Sequence, residues 1–130
     1  MITTSEEIRP DSLRVLVVDD GILHQRLALT ILTRQGHEVT VASDGRRAVD
    51  LVDREDFDVV LMDIEMPVMD GLTATCLIRE RERTTGRRTP VVAVSSTTDT
   101  QRCLDAGMDA FIPKPLRAAI LNETLQTVLA

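Results

Sequence analysis

Five polar residues in this sequence lie at the end of apolar, strand-like runs or shortly after them and could do chemistry together: Asp19, Asp20, Asp63, Ser95 and Lys114. The runs are "RVLVV" at 14–18, "DVVLM" at 58–62, "VVAVS" at 91–95 and "AFI" at 110–112. In a parallel sheet, ligands bind beyond the carboxyl ends of the strands. We therefore expect three carboxylates, one hydroxyl and one ammonium at a single rim.

Crowded carboxylates at such a rim indicate a site for a hard divalent cation. Carboxylates that share a cleft repel one another, and each then tends to hold a proton. Mg²⁺ removes that penalty, takes oxygen ligands and keeps several waters. Its charge also suits an incoming phosphoryl group, since phosphoryl transfer depends mainly on positioning and charge stabilisation. The pattern predicts magnesium-assisted phosphoryl chemistry.

Each of the five residues can be given a role in that chemistry. Asp63, in the middle of the rim, is the predicted nucleophile, because carboxylates form covalent intermediates in phosphoryl transfer. Asp20, with Asp19 acting through water, holds the metal. Ser95 donates a hydrogen bond to one phosphoryl oxygen, and Lys114 pairs with another as a point charge.

The elements that must position these residues alternate regularly along the chain. Helical spacing of apolar residues is seen at 22–35, 45–54, 71–85 and 116–129, and another helix is predicted between residues 98 and 107. "EVTVA" at 38–42 completes a set of five strands. Five strands alternating with five helices predict a doubly wound α/β fold, with a parallel sheet covered by helices on both faces.

Composition limits the classes of function. The chain has 130 residues, a formal net charge of −6, two phenylalanines and no Trp or Tyr. An acidic chain without stacking aromatics argues against nucleic-acid binding. The apolar runs are too short to span a bilayer, and no signal peptide is recognisable, so we expect no membrane contact and a cytoplasmic location.

The domain organisation is predicted to be simple. Residues 1–12 are polar and without period, which is typical of a flexible tail or linker, and 13–130 form one domain. Cys76 and Cys103 lack metal-ligand spacing, and both are expected to be buried thiols that pack as small hydrophobes.

Four segments of the chain resemble the signatures of response-regulator receiver domains of two-component signalling. They are "VLVVDD", "DVVLMDIEMPVMDG", "TPVVAVSS" and "AFIPKP", in the order and spacing of that family, and the resemblance covers nearly all of 13–129. It implies a flavodoxin-like sheet of order 2-1-3-4-5. It also implies that the domain is not an enzyme in the usual sense but promotes its own phosphorylation and dephosphorylation.

The resemblance implies a set of functional residues. It makes Asp63 the phosphorylation site, and Asp19, Asp20, Asp63 and the backbone carbonyl of Glu65 the ligands of Mg²⁺. It makes Ser95 and Lys114 the groups that meet the phosphoryl oxygens. Ser95 and Phe111 then form a switch that acts on the face built from the fourth helix, the fifth strand and the fifth helix.

The resemblance also implies partners. The phosphodonor is a histidine kinase or a histidine phosphotransfer domain, and the switched face is a possible homodimer surface. The run "DDGILHQRLALTIL" is most similar to receivers of hybrid histidine kinases, although Gly21 and His24 stand where Asn is common. We interpret His24 as a solvated helix residue rather than a second phosphoacceptor.

Other interpretations stay open. Asp19 and Asp20 could cap the following helix, where acidic groups favour the positive end of the dipole, and Ser95 could be a plain strand-end residue. The chain could be a stand-alone regulator, or a degenerate receiver that serves only as an interaction module. An aspartyl-nucleophile phosphatase is disfavoured, because such enzymes usually carry a D-x-D pattern on the first strand, which "VVDDGIL" lacks.

Overall fold

The computed structural model describes residues 12–66, 69–96 and 99–129. The strands are β1 (Arg14–Val18), β2 (Glu38–Ala42), β3 (Val59–Asp63), β4 (Val91–Ser95) and β5 (Ala110–Pro113). The helices are α1 (Ile22–Arg34), α2 (Gly45–Arg54), α3 (Gly71–Thr85), α4 (Thr100–Asp105) and α5 (Ala118–Val128). Strands and helices therefore alternate as the apolar pattern predicts.

The five strands form one parallel sheet in the order β2-β1-β3-β4-β5. This confirms the flavodoxin-like order 2-1-3-4-5. After β1 the chain goes to one side of the sheet to form β2, and β3 then lies on the other side of β1. Ligands bind at this kind of reversal in doubly wound sheets, so the point where β1 and β3 end is the place to look for a site.

Alternate residues of the strands face two separate apolar cores. Val15 and Val17 of β1 pack in one core with α1 and α5, while Leu16 and Val18 pack in the other with α2, α3 and α4. Because both faces of the sheet are buried, the sequences of β1, β3 and β4 are continuously apolar and do not alternate between apolar and polar residues. The two cores hold the central strands, and so the rim, in place.

Three helices begin at an aspartate whose carboxylate accepts a backbone hydrogen bond. Asp44 caps α2, Asp70 caps α3 and Asp99 caps α4. Each satisfies one of the backbone N–H groups that a helix leaves without an internal partner. Several of the acidic residues of this chain therefore serve the fold rather than a cation site.

The structure differs from the sequence-based expectations in detail. Strand β3 extends to Asp63, whereas Asp58 lies just before it and accepts a hydrogen bond from the backbone N–H of Arg14. Cys103 is buried as expected, but Cys76 is exposed because it lies on the outer side of α3. Residues 1–11 of the predicted tail lie outside the described part of the chain. Among the described residues, no helix combines the length and apolar character needed to cross a bilayer.

Candidate functional site

The site lies where the two central strands end. Asp63 is the last residue of β3, and Asp19 and Asp20 directly follow β1. Strands β1 and β3 are hydrogen-bonded neighbours, with Val18 opposite Met62. Their carboxyl ends are therefore adjacent, and the sheet register alone brings the acidic residues of the two strands together.

The three carboxylates form a cluster. One oxygen from each of Asp19, Asp20 and Asp63 lies within 4.8 Å of the others. Asp19 and Asp63 are only 5% and 3% exposed, whereas Asp20 is exposed to solvent. The cluster is thus a half-open cleft with two buried acidic groups and one at its mouth.

Lys114 closes the cluster from the other side. Its Nζ lies 3.2 Å from Asp63 Oδ1 and 3.4 Å from Asp19 Oδ2. The backbone positions it, since the Lys114 N–H donates to the Ser95 carbonyl oxygen. The peptide bond from Lys114 to Pro115 is cis. The ammonium offsets part of the negative charge of the buried pair.

The pKa of the Asp63 carboxyl is raised above its ordinary value of 3.8. The main cause is burial, which disfavours the charged form, and the charge of Asp19 adds to it. Lys114 and the Glu65 backbone N–H, which donates to Asp63 Oδ1 at 3.3 Å, act in the opposite direction without cancelling the effect. The cleft is therefore short of positive charge, as a cation site should be.

Asp19 is held by the first turn of α1. Its Oδ1 accepts a hydrogen bond from the Gly21 N–H at 2.8 Å, and its backbone carbonyl accepts one from Gln25 Nε2 at 2.6 Å. Asp19 does not cap α1, because the N-cap is Gly21, without a side-chain cap hydrogen bond; the Asp19 carboxylate bonds to the Gly21 N–H just before the helix. Its other oxygen, Oδ2, faces Lys114.

Gly71 allows the loop after β3 to return to the strand end. Its N–H donates to the Ile64 carbonyl at 2.9 Å. A Cβ at this position would stand 2.2 Å from the Asp63 carbonyl oxygen and 2.8 Å from Met62 Cγ. Only glycine permits this approach, so Gly71 fixes the backbone that carries Asp63.

Ser95 and Phe111 belong to the next two strands of the sheet, β4 and β5. Asp63 pairs with Val94 across β3 and β4, so Ser95 stands one residue beyond it, fully buried. Phe111 pairs with Ala93 and packs, half-buried, against the core under α2, α3 and α4. Ser95 belongs to the rim, whereas Phe111 lies within a strand near it.

Sequence reasoning overlooked Gln25, and it placed His24 on the first helix without predicting its contact with Lys114. Gln25 bonds to the Asp19 backbone, and His24 places Nδ1 3.3 Å from Lys114 Nζ. His24 is exposed, as expected of a solvated helix residue, but it contacts the lysine of the rim. Their position in the helical turn after two acidic residues was the available signal, and it could not reveal a contact with a lysine that follows the last strand.

The cluster suits a hard divalent cation. Its ligands are oxygens, two of them are buried and oriented by neighbouring groups, and the third is open to water. Such an all-oxygen donor set matches Mg²⁺ better than Zn²⁺, which prefers nitrogen and sulfur ligands.

Known proteins with similar sequences point to one family. The family model described as response regulator receiver domain matches residues 15–126. Hybrid signal transduction histidine kinase I of Dictyostelium discoideum is 37% identical over 122 residues, which cover 88% of this chain and 7% of the relative. Sensor histidine kinase RcsC of Salmonella typhimurium is 36% identical over 118 residues, covering 88% and 12%. The chain thus spans only a small part of these relatives.

Solved structures of receiver domains are similar as well. The receiver domain of sensor histidine kinase PA1611 from Pseudomonas aeruginosa, with a magnesium ion coordinated in the active site cleft, has a TM-score of 0.82 and 36% identity. The two structures overlap over 91% of this chain and 98% of that one. The receiver domain of the histidine kinase CKI1 from Arabidopsis thaliana, complexed with Mg²⁺ and BeF₃⁻, gives 0.76 and 36%, covering 88% and 90%.

Proposed function

This chain belongs to the family of response regulator receiver domains, and we propose that it accepts a phosphoryl group on Asp63 in a Mg²⁺-dependent reaction. The observation that carries the proposal is the grouping of Asp63 with Asp19 and Lys114. A buried carboxylate with a raised pKa stands between an acidic neighbour and an ammonium that lies 3.2 Å away. That arrangement supports both metal binding and phosphoryl transfer.

The proposed metal site uses Asp19, Asp20, Asp63 and the backbone carbonyl of Glu65. The similar PA1611 and CKI1 receiver structures contain magnesium, which supports the choice of ion. When bound, Mg²⁺ supplies positive charge that neutralises the carboxylates and the phosphoryl oxygens. The exposed carboxylate of Asp20 lies at the mouth of the cleft, where the ion enters, while buried Asp19 is fixed by the Gly21 N–H.

The proposed transfer breaks one bond and forms one. A carboxylate oxygen of Asp63 attacks the phosphorus of a phosphohistidine, the P–N bond breaks, and the donor's imidazole leaves with the electron pair and takes up a proton. The Ser95 hydroxyl donates to one phosphoryl oxygen and the Lys114 ammonium to another. Lys114 then exchanges its contact with the Asp63 carboxylate for one with the phosphoryl group, so its charge stays compensated.

The proposed phosphodonor is a histidine kinase or histidine phosphotransfer domain that docks on α1. Ile22 and Leu23, in the first turn of α1 just after the acidic pair, are 63% and 79% exposed. Large apolar side chains this open to water are suited to a protein contact. A donor helix seated on them would bring its phosphohistidine over the rim, because Asp20 is only two residues from Ile22.

The proposed output is a change of the face formed by α4, β5 and α5. Phosphorylation adds about −1.5 to −2 charges at Asp63. Ser95 moves toward the new group and Phe111 fills the space released, so the local charge biases a packing switch. Phe111 has no hydroxyl, and the switch therefore works by packing alone. A homodimer through this face is one possible consequence.

We propose that the domain acts within a hybrid sensor histidine kinase in the cytoplasm, as its relatives' names suggest. A stand-alone regulator is the alternative. In either setting the domain turns over no separate substrate. An aspartyl-nucleophile phosphatase is a weaker proposal, since such enzymes usually carry a D-x-D pattern on the first strand, which "VVDDGIL" lacks.

Intact-protein mass spectrometry tests the proposal. The protein is incubated with Mg²⁺ and phosphoramidate, whose P–N bond is the type that phosphohistidine presents. One phosphoryl group should be gained by the wild type and none by Asp63→Asn, while Asp53→Asn on the distant α2 should match the wild type. No gain in the wild type, or an equal gain in Asp63→Asn, would refute it.

A further inference from the structure

His24 contacts the lysine of the rim from a helix on the other side of the site. Its Nδ1 lies 3.3 Å from Lys114 Nζ, and both residues line one cleft between α1 and the connection from β5 to α5. We propose that His24 is a positioning residue, which holds the Lys114 ammonium where it meets the phosphoryl group. This inference rests on the proposed function of the site.

The proposed hydrogen bond requires one particular tautomer of the imidazole. An ammonium has three N–H donors and no acceptor. A hydrogen bond from Lys114 therefore requires a lone pair on Nδ1, which places the ring proton of neutral His24 on Nε2. The distance of 3.6 Å between His24 Nδ1 and Asp19 Oδ1 is then a contact between two acceptors rather than an ion pair. In the proposed tautomer, His24 accepts a hydrogen bond from Lys114 and donates none to Asp19 through Nδ1.

Within the described part of the chain, three acceptors lie near the ammonium, which has three protons. They are Asp63 Oδ1, Asp19 Oδ2 and His24 Nδ1, at 3.2, 3.4 and 3.3 Å. Two of these acceptors belong to proposed metal ligands, and Asp63 is also the nucleophile. Of the three acceptors, His24 is neither a proposed metal ligand nor the residue that is phosphorylated. It can therefore keep its hydrogen bond throughout the reaction.

A fixed acceptor matters because lysine is a flexible side chain. Its four-carbon stem has many rotamers, and ordering it costs conformational entropy. A bound cation would neutralise part of the charge of the Asp19 and Asp63 carboxylates, and their attraction for Lys114 would then be weaker. His24 then limits the positions that the ammonium can take, so less ordering remains for the transition state.

Two substitutions separate the acceptor from the bulk of the ring. His24→Asn keeps an oxygen near the place of Nδ1, whereas His24→Leu fills similar space without an acceptor. We expect His24→Leu to slow phosphoryl gain from phosphoramidate by about three- to tenfold at saturating Mg²⁺. His24→Asn should restore at least half of the lost rate, and Mg²⁺ affinity, measured by calorimetry, should stay within about twofold in both variants.

The imidazole nitrogens report the contact without any activity. In long-range ¹H–¹⁵N NMR spectra in mildly alkaline buffer, His24 should show the Nε2–H tautomer with a hydrogen-bonded Nδ1. Lys114→Ala should shift the Nδ1 signal of His24 alone. His37 is an internal control, because its Nδ1 accepts from the Leu13 N–H at 3.0 Å and no lysine is involved.

The results distinguish this inference from the proposed function. A wild type that gains no phosphoryl group overturns the proposed function itself. If the wild type is phosphorylated but His24→Leu reacts at the wild-type rate, or His24→Asn is as slow as His24→Leu, the positioning role is wrong. A His24 spectrum that does not respond to Lys114→Ala also overturns it, whatever the rates.

Discussion

The ammonium of Lys114 lies 3.2 Å from Oδ1 of Asp63, although Asp63 ends β3 and Lys114 follows β5, two strands that are not neighbours in the sheet. Strand β4 lies between β3 and β5, and the contact passes over its carboxyl end. The Lys114 N–H donates to the Ser95 carbonyl of β4, which brings the lysine back toward the centre of the sheet. The following predictions test this rim and the scaffold beneath it.

The first prediction concerns the charge of Asp63. Because its folded pKa is raised above 3.8, the folded state binds the proton more tightly than the unfolded chain. The stability that protonated Asp63 contributes is present below 3.8 and is lost as the pH rises through the folded pKa. In metal-free buffer at neutral pH, Asp63→Asn should therefore raise the thermal unfolding temperature, and the gain should vanish below 3.8.

Thermal unfolding followed by circular dichroism across the pH range measures this difference. Asp53→Asn is the control, because Asp53 is an exposed carboxylate whose ion pair with Arg81 is exposed and should contribute little. A pH-independent difference between the wild type and Asp63→Asn would contradict the assignment.

The second prediction concerns metal binding by Asp20. Mg²⁺ at ten times its dissociation constant should stabilise the wild type by about 1.4 kcal/mol, since a ligand that binds only the folded state stabilises it. Asp20→Ala should lose most of this gain while leaving the metal-free stability nearly unchanged, because the Asp20 side chain is exposed. Unfolding curves with and without Mg²⁺ give both quantities. An Asp20→Ala protein that Mg²⁺ stabilises as much as the wild type would remove Asp20 from the site.

The third prediction concerns the close approach at Gly71. A Cβ there would collide with the Asp63 carbonyl oxygen, which stands 2.2 Å away. Gly71→Ala should destabilise the fold by about 1–3 kcal/mol and lower Mg²⁺ affinity, because the backbone that carries Asp63 must shift. Gly36→Ala is the control: its φ of +88° makes alanine cost about 1 kcal/mol, but nothing lies within 4 Å and the site is untouched. Equal Mg²⁺ affinity in both variants would show that Gly71 does not shape the site.

The fourth prediction concerns docking on α1. Leu23→Ser should slow transfer from a cognate histidine phosphotransfer domain by about five- to tenfold. The rate with phosphoramidate should stay unchanged, because the rim itself is intact. Leu29→Ser is a matched control, since Leu29 is also exposed on α1 but lies farther from the rim. Transfer rates of each variant are measured with both donors. If Leu23→Ser slowed the reaction equally with both donors, Leu23 would affect the rim and not the docking of the phosphotransfer domain.

The fifth prediction concerns a polar network remote from the rim. Asp109 Oδ2 accepts from the Val91 N–H and from Arg79 Nη2, each at 2.9 Å, and Asp109 Oδ1 accepts from Arg88. Arg79 in turn donates to the Gly107 carbonyl, and these bonds join α3 to the starts of β4 and β5. Asp109→Ala leaves several donors without their partner and should destabilise the fold by about 1–3 kcal/mol.

Urea unfolding measures that loss. Phosphoryl gain per folded molecule should match the wild type, because Asp109 lies at the opposite ends of the strands from Asp63. A loss of phosphorylation in the still-folded variant would mean that the network influences the site, contrary to this expectation.

Much of the fold followed from the sequence because its information is local. Continuous apolar runs such as "VLVV" and "VVLM" predict strands buried on both faces, and helical spacing between them predicts crossovers. Residues that end parallel strands must share an edge. Asp19, Asp63 and Lys114 were therefore expected at one rim, and the distances between them agree.

The ends of strands and the orientation of helices were less predictable, because they depend on contacts with residues that are distant in the sequence. Asp58 was expected to be the first residue of β3 but lies just before it, and both its backbone N–H and its carboxylate form hydrogen bonds with the backbone of Arg14. Cys76 was expected to be buried, yet it faces outward because the apolar side of α3 is formed by Ala74 and Ile78. A single sequence does not tell which side of a weakly amphipathic helix faces the core.

What the sequence determined by itself was the class of fold, the set of acidic residues and the lysine, because residue type and strand period are local properties. Only the tertiary structure decided that His24 meets Lys114, that Gly71 must lack a side chain, and that burial raises the pKa of Asp63. These three facts depend on distances between atoms from different elements. Such distances are set when the helices pack against the sheet, and no local pattern contains them.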